Sequence, residues 1–202
     1  MMFYVVIIEK ETMKDKLIIG LGFKIGVGKD AVADFMVEHY GFTKFKFAGA
    51  LKEALCIIFG WDLDDLEDQD FKNTVDPFWE MTPRAIMQRF GTEIMRDQFR
   101  RDIWIKALGH NISRHQCSRV VISDVRFINE IDAIKKWGGF NVHITRPNWL
   151  PEHDNKLKHV SETELSEYDN WDSKINNCGT LKDLENTTAI VVKVLNALKY
   201  KL

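Results

Sequence analysis

No stretch of this chain is long and apolar enough to suggest a membrane span. Phe3 to Ile8 is an apolar run of six residues closed by Glu9, Lys10 and Glu11, far short of the roughly 20 that a spanning helix needs, and it lacks the basic lead of a secretory signal. Cysteine is scarce. Cys56, Cys117 and Cys178 lie far apart without metal-ligand spacing, which argues against a disulfide framework or a structural zinc and suits a reducing, cytoplasmic compartment. Positive charge is not in excess either. With 28 Lys and Arg against 30 Asp and Glu, the formal charge is −2, so there is no basic footprint for a polymeric nucleic acid, and small ligands fit better. Neither an internal repeat nor a low-complexity tract appears, and His153 and His159 have no partner at ligand spacing, so no metal ligand is assigned.

What the chain does have is a chemically specific stretch from Lys16 to Tyr40. Leu17, Ile18, Ile19 and Leu21 read as a buried strand; Gly22, Gly26 and Gly28 make a glycine-rich loop; Lys29 follows, and a helix begins at Asp30. Strand, loop and helix in that order let backbone N–H groups and a helix N-terminus converge on a phosphate, with the lysine ammonium supplying compensating charge. The spacing departs from G-x-x-x-x-G-K-[ST], which needs glycine at Phe23 and a hydroxyl at Asp30. Gly22 stands one residue early, so the loop is one residue longer.

At 202 residues the chain can bury one substantial core, and a single domain over 1–202 is expected. Met13 directly precedes Lys14 to Gly22, so a translation start there is plausible; residues 1–15 are expected outside the core and the first twelve to be dispensable. After the loop, Val32, Phe35, Met36 and Tyr40 fall at helical spacing, and Phe45 and Phe47 alternate with Lys44 and Lys46 as a short strand. Lys52 sits just past Gly49, where a helix starts after a strand, which suits an anion contact as well as a solvated charge. The acidic stretch within about 61–80 reads as a mobile excursion, and about 147–160, with Pro147, Pro151 and two histidines, as a lid or loop.

Thr82 and Pro83 open a helix as N-cap and first residue. Ile86, Phe90 and Ile94 mark its core stripe, while Arg84, Gln88 and Thr92 share another side beside Gly91. A mid-helix glycine costs about 1 kcal/mol relative to alanine, and close approach of a ligand or another backbone would account for it. Trp104, offset from the inward side of the next helix, is by type more often core than ligand platform. Val120 to Asp124 reads as a central parallel strand ending in a carboxylate, with Arg126 two residues on to offset repulsion near a phosphate. Glu130 lies off the stripe Ile128, Ile131 and Ile134. Ser161 and Glu164 are expected to form a capping box, Ile175 a last strand, and Leu181, Leu184, Val191, Leu195 and Leu198 the inward face of a C-terminal helix opened by Thr180.

Several of these blocks together resemble the bacteriophage deoxynucleoside monophosphate kinases: Gly28-Lys29-Asp30 followed by Ala-Asp-Phe, Ala48 to Lys52, Met87-Gln88 with Gly91-Thr92-Glu93, Trp104-Ile105-Lys106, Asp124-x-Arg126 with Glu130, and Thr145-Arg146-Pro147. The resemblance runs from about Leu17 to Arg146. It implies an α/β P-loop NTPase fold, a parallel β-sheet flanked by helices with small monophosphate-binding and lid excursions. It further implies transfer of the γ-phosphoryl of ATP to a deoxynucleoside monophosphate, with Mg²⁺.

Carried across residue by residue, Gly22, Lys24, Gly26, Gly28, Lys29, Asp30 and Ala31 would hold ATP, with Arg146 as a lid cation. Lys52, Arg84, Gln88, Gly91, Thr92, Trp104, Asp124, Arg126 and Glu130 would surround the acceptor, and Lys29, Arg126 and Asp124 would be catalytic. Ala31 stands where the family usually has a hydroxyl residue. The resemblance is compatible with a homodimer. Two alternatives remain open at this point: a kinase of another small phosphate such as phosphomevalonate, and a nucleotide-binding module without catalysis.

Overall fold

The computed structural model describes residues 13–147 and 160–201. The N-terminal apolar run, and most of the expected lid with His153 and His159, lie outside these residues. Within them the chain divides into two compact units, one formed by residues up to Lys46 and from His110 onward, the other by Phe47–Gly109.

The first unit is a five-stranded sheet flanked by helices. In chain order it holds β1 (Leu17–Gly22), α1 (Lys29–Tyr40) and β2 (Thr43–Phe45). All strand pairs are parallel and the order is β2-β3-β1-β4-β5, where β3 is Arg119–Val125, β4 is Phe140–Thr145 and β5 is Ser173–Asn176. β1 is buried along its whole length, as an apolar run covered on both faces must be. Its alternate residues Leu17, Ile19 and Leu21 join Val32, Ala33 and Met36 of α1 and Leu184, Val192 and Leu195 of the C-terminal helix in one core cluster. The other face meets Ile134, whose Cδ1 approaches Gly20. Met13 is buried, so the packed part of the chain already includes residues before Lys16.

The second unit contains α2 (Gly49–Phe59), the short α3 (Gln69–Asn73) and α4 (Pro83–Gln88). Thr82 caps α4 by accepting from the Ala85 N–H at 3.2 Å, the cap expected from Thr-Pro. From Arg89 to Phe99 the helix continues with π geometry. A wider turn rotates residues off a four-residue stripe, which explains why Ile86 is buried while Ile94 is exposed. Within the acidic stretch, Trp61, Leu66 and Lys72 are buried, and Asp76 accepts from the Trp61 indole at 3.0 Å. Helix α5 (Ile103–Arg114) contains the division between the units.

Returning to the first unit, α6 (Ile128–Lys136), α7 (Val160–Thr163) and α8 (Leu181–Lys199) complete the described elements. Ser161 and Glu164 do not form the expected box. Glu164 Oε1 instead accepts from the Ile128 N–H at 2.8 Å, because the first turn of α6 offers unsatisfied donors to a carboxylate that can reach them. On α8, Leu184 and Leu195 are buried as expected, whereas Leu181 and Leu198 are exposed.

Candidate functional site

β1 feeds directly into the glycine-rich loop. Phe23 has φ 104°, and Gly26 and Gly28 have φ 77° and 103°. A side chain at such φ is strained, at a cost on the order of 1–3 kcal/mol. Phe23 is the position where the usual phosphate-loop spacing has its first glycine, so the turn keeps a glycine conformation without the glycine. Its ring compensates by packing edge-on to His143, centroids 4.5 Å apart.

The far end of the loop is held tightly. Gly28 precedes α1 as its N-cap residue, and a β-carbon there would fall 2.7 Å from Asn177 Nδ2. That amide donates to the Val27 carbonyl at 3.1 Å, which ties the segment after β5 to the loop. Lys29 is buried; its Nζ donates to the Phe23 carbonyl at 2.9 Å and to that of Lys24. The loop therefore curls around the ammonium, and the first turn of α1, whose amides have no partner within the helix, begins on the same turn. The Lys24 ammonium lies 5.1 Å from the centroid of the Phe23 ring.

Asp30 follows on α1, and its Oδ1 lies 2.8 Å from Lys44 Nζ and 3.7 Å from Lys46 Nζ. Ser123 Oγ donates to the same oxygen at 3.3 Å. Burial alone would raise the Asp30 carboxyl, but the hydrogen bond from Lys44 and the charges of Lys46, Lys44 and Lys29 hold it below the usual carboxylate range. The alternation of Lys44 and Lys46 with phenylalanines thus serves two ends: strand packing and two cations at the loop. Ser123 supplies a buried hydroxyl beside Asp30 from a neighbouring strand, at a site where Ala31 provides none. Ala31 itself is exposed on α1.

β3 pairs with β1 so that Val125 faces Gly22. This puts Asp124 and Arg126 at the carboxyl end of the sheet, beside the start of the loop, where ligands gather in open α/β folds. Glu130 is buried, and its Oε2 accepts from the Arg126 N–H at 2.8 Å and the Phe127 N–H at 3.2 Å. Helix capping thus falls to Glu130, and it orients the backbone that carries Arg126. Arg146 lies just past β4 and is exposed.

In the second unit, Lys52 is buried on α2; its Nζ lies 2.6 Å from Glu67 Oε1 and donates to the Leu66 carbonyl at 3.1 Å. Arg84 donates from Nε to Asn73 Oδ1 at 2.9 Å and from a terminal nitrogen to Gln69 Oε1 at 2.8 Å. Gln88 ends α4, and Thr92 is half-buried in the π segment. Gly91 is buried, and a β-carbon on it would lie 2.6 Å from Leu51 Cδ2. The Trp104 indole, also buried, donates to the Gly91 carbonyl at 2.9 Å. Packing by Leu51 and Trp104 is what accounts for this mid-helix glycine.

Sequence reasoning passed over Asn177, Ser123 and Glu67 as partners of these groups. Their contacts join residues between 15 and 150 positions apart, and no local spacing announces them.

Comparison with known proteins adds a second line. The family model described as deoxynucleotide monophosphate kinase matches residues 62–188, more than half of the chain. A protein of Acanthamoeba polyphaga mimivirus, provisionally named a deoxynucleotide monophosphate kinase, is 33% identical over 83% of this chain and 91% of its own length. The chain belongs to the deoxynucleotide monophosphate kinase family. The deoxynucleotide monophosphate kinase of Enterobacteria phage T4 is 23% identical, with 83% of this chain and 95% of the phage protein covered. The crystal structure of TT1252 from Thermus thermophilus shares the fold, with TM-score 0.50 and 17% identity over 89% of this chain and 98% of that one. The family match takes in Arg84, Asp124 and Arg126 but not the loop before Asp30, so the loop stands on its own geometry. Among the described residues no helix is long and apolar enough to cross a membrane.

Proposed function

We propose that this member of the deoxynucleotide monophosphate kinase family transfers the γ-phosphoryl of ATP to a deoxynucleoside 5′-monophosphate, giving the diphosphate and ADP. The observation that carries the reading is the buried Lys29 enclosed by a left-handed glycine loop at the start of α1, with Asp124 and Arg126 at the end of the adjoining strand. In it, Gly22, Lys24, Gly26, Gly28, Lys29, Asp30 and Ala31 hold the donor phosphates. Within the first unit Asp124 and Arg126, and within the second Lys52, Arg84, Gln88 and Thr92, are the residues that the family resemblance assigns to the acceptor. Gly91, Trp104 and Glu130 act behind them, through the packing and hydrogen bonds described above.

Phosphoryl transfer asks the protein mainly for positioning and charge compensation. Lys29 and Arg126 offset charge on the moving group, and the acceptor phosphate oxygen is already a competent nucleophile, so no general base is required. Mg²⁺ is a hard cation that takes oxygen ligands and keeps several waters beside substrate phosphates. Oxygen donors suited to it stand near the loop: the Asp30 carboxylate, which Lys44 also meets, and the Ser123 hydroxyl lie together, and Asp124 follows Ser123 in the sequence of β3. Asp30, Ser123 and Asp124 would hold the ion, directly or through water, and it would supply charge neutralisation at the phosphates. A cytoplasmic site of action, with nucleotides rather than polymeric nucleic acid as partners, belongs to the same reading.

The test is ADP release from ATP with each of the four deoxynucleoside monophosphates and with phosphomevalonate. Turnover with at least one deoxynucleotide is expected. Turnover with phosphomevalonate alone, or with none of them, refutes the assignment.

A further inference from the structure

A buried ammonium needs a counter-charge, because leaving it unpaired costs several kcal/mol. For Lys52 the structure supplies that charge from Glu67, at 2.6 Å. The two partners differ in exposure. The Lys52 side chain is 9% exposed, that of Glu67 46%, so the carboxylate approaches from the open side and the lysine from the packed side.

The backbone around Glu67 is held by contacts beyond this ion pair. Leu66 is fully buried, and its carbonyl also receives Lys52. The Glu67 carbonyl accepts from the buried Lys72 at 3.0 Å. Asp68 then caps α3 by accepting from the Phe71 N–H at 2.7 Å. The main chain is thus anchored at Glu67 and Asp68 apart from the Lys52 side chain, and the Glu67 carboxylate that meets Lys52 is 46% exposed. The same segment treats Arg84 differently, meeting it with the neutral amides of Gln69 and Asn73.

We propose that Glu67 is an internal counter-ion that competes with the acceptor phosphate for Lys52: it occupies the lysine while the site is free and yields it to a ligand carrying more charge than a carboxylate. A phosphomonoester carries about −1.5 to −2 charges at pH 7, whereas a phosphodiester-like or carboxylate ligand carries one. Exchange of Glu67 for a dianion gains Coulomb energy, and exchange for a monoanion gains little. A nucleoside without phosphate gains nothing. The ion pair thus sets a displacement cost that every anionic acceptor meets at this lysine, which a dianion overcomes more readily than a monoanion. This rests on Lys52 being an acceptor ligand in the reading above.

The experiment compares wild type, K52A and E67Q at saturating ATP, with the deoxynucleoside monophosphate that wild type turns over fastest. The 5′-phosphate methyl ester of the same nucleoside, a monoanion, serves as competing ligand. E67Q is expected to lower KM for the monophosphate several-fold with a smaller change in kcat, and to tighten inhibition by the methyl ester as well, since both anions must displace the same carboxylate. The monophosphate should also raise the melting temperature of E67Q more than that of wild type. A KM in E67Q equal to or above wild type, while K52A raises it, overturns the role of Glu67 and leaves a merely structural ion pair. A KM unchanged in K52A removes Lys52 from the acceptor site, and the proposal falls with that reading. Should E67Q fail to fold, E67D keeps the charge but shortens its reach and is expected to lower KM in the same direction; an unchanged KM there overturns the proposal.

Discussion

The imidazole of His143 lies flat against the indole of Trp171, centroids 4.8 Å apart and planes 15° from parallel. Phe23 meets the same imidazole edge-on, and the Trp171 ring fills the space that a β-carbon on Gly22 would need. An aromatic wall therefore backs the start of the phosphate loop. Neither ring nitrogen of His143 has a hydrogen-bond partner among the described residues.

Burial, with the charge of Lys174 behind it, pushes the His143 pKa below the ordinary imidazole value. As pH falls through about 6.5, the unfolded chain takes up a proton that the folded chain refuses. Stability is therefore expected to drop as pH falls from about 6.5 to the folded value, and to be free of this term above it. His143→Phe should remove that part of the pH dependence and stay within about 1.5 kcal/mol of wild type at pH 8. Urea melts of both proteins between pH 5 and 8 check it; parallel pH curves would refute it.

Lys29→Ala should weaken ATP binding by about 10- to 100-fold, the range for losing a charge-assisted hydrogen bond of roughly 1.5–3 kcal/mol. This side chain donates to the loop carbonyls of Phe23 and Lys24, outside the strands of the sheet, so the far-ultraviolet spectrum should be unchanged. Titration calorimetry with ATP decides. Binding at wild-type strength would remove the phosphate loop from the account.

Arg126→Ala should lower kcat/KM by roughly 100-fold or more, as when a donor to developing charge is removed. Its effect on folding should remain under about 1 kcal/mol, since the residue is only half-buried. Near-normal turnover in the steady-state assay would take Arg126 out of the mechanism.

Gly91→Ala should destabilise the protein by about 1–3 kcal/mol, because the new methyl would press on Leu51. In the Leu51→Ala background the same substitution should cost less, since the opposing atoms are gone. Denaturant unfolding of the four members of this cycle measures the coupling; strictly additive effects would show that Leu51 is not what requires the glycine.

Part of this protein could be read along the chain. The buried strand into the glycine loop, Thr82 and Thr180 as caps, and the strand that carries Asp124 near its end are set by contacts within a few residues, where apolar periodicity and capping chemistry act. The order β2-β3-β1-β4-β5 could not be read that way, nor could the π turn that exposes Ile94 or the glycine-like turn at Phe23 that His143 supports. The same holds for charge. Sequence alone named Lys29, Lys52 and Arg126 as cations suited to phosphate, because charge type and position at a helix start or strand end are local properties, and the family resemblance added Arg84. Only the folded chain decided what each cation meets, since Glu67 reaches Lys52, Asn73 reaches Arg84 and Ser123 reaches Asp30 across gaps that close when the core forms and leave no periodic trace.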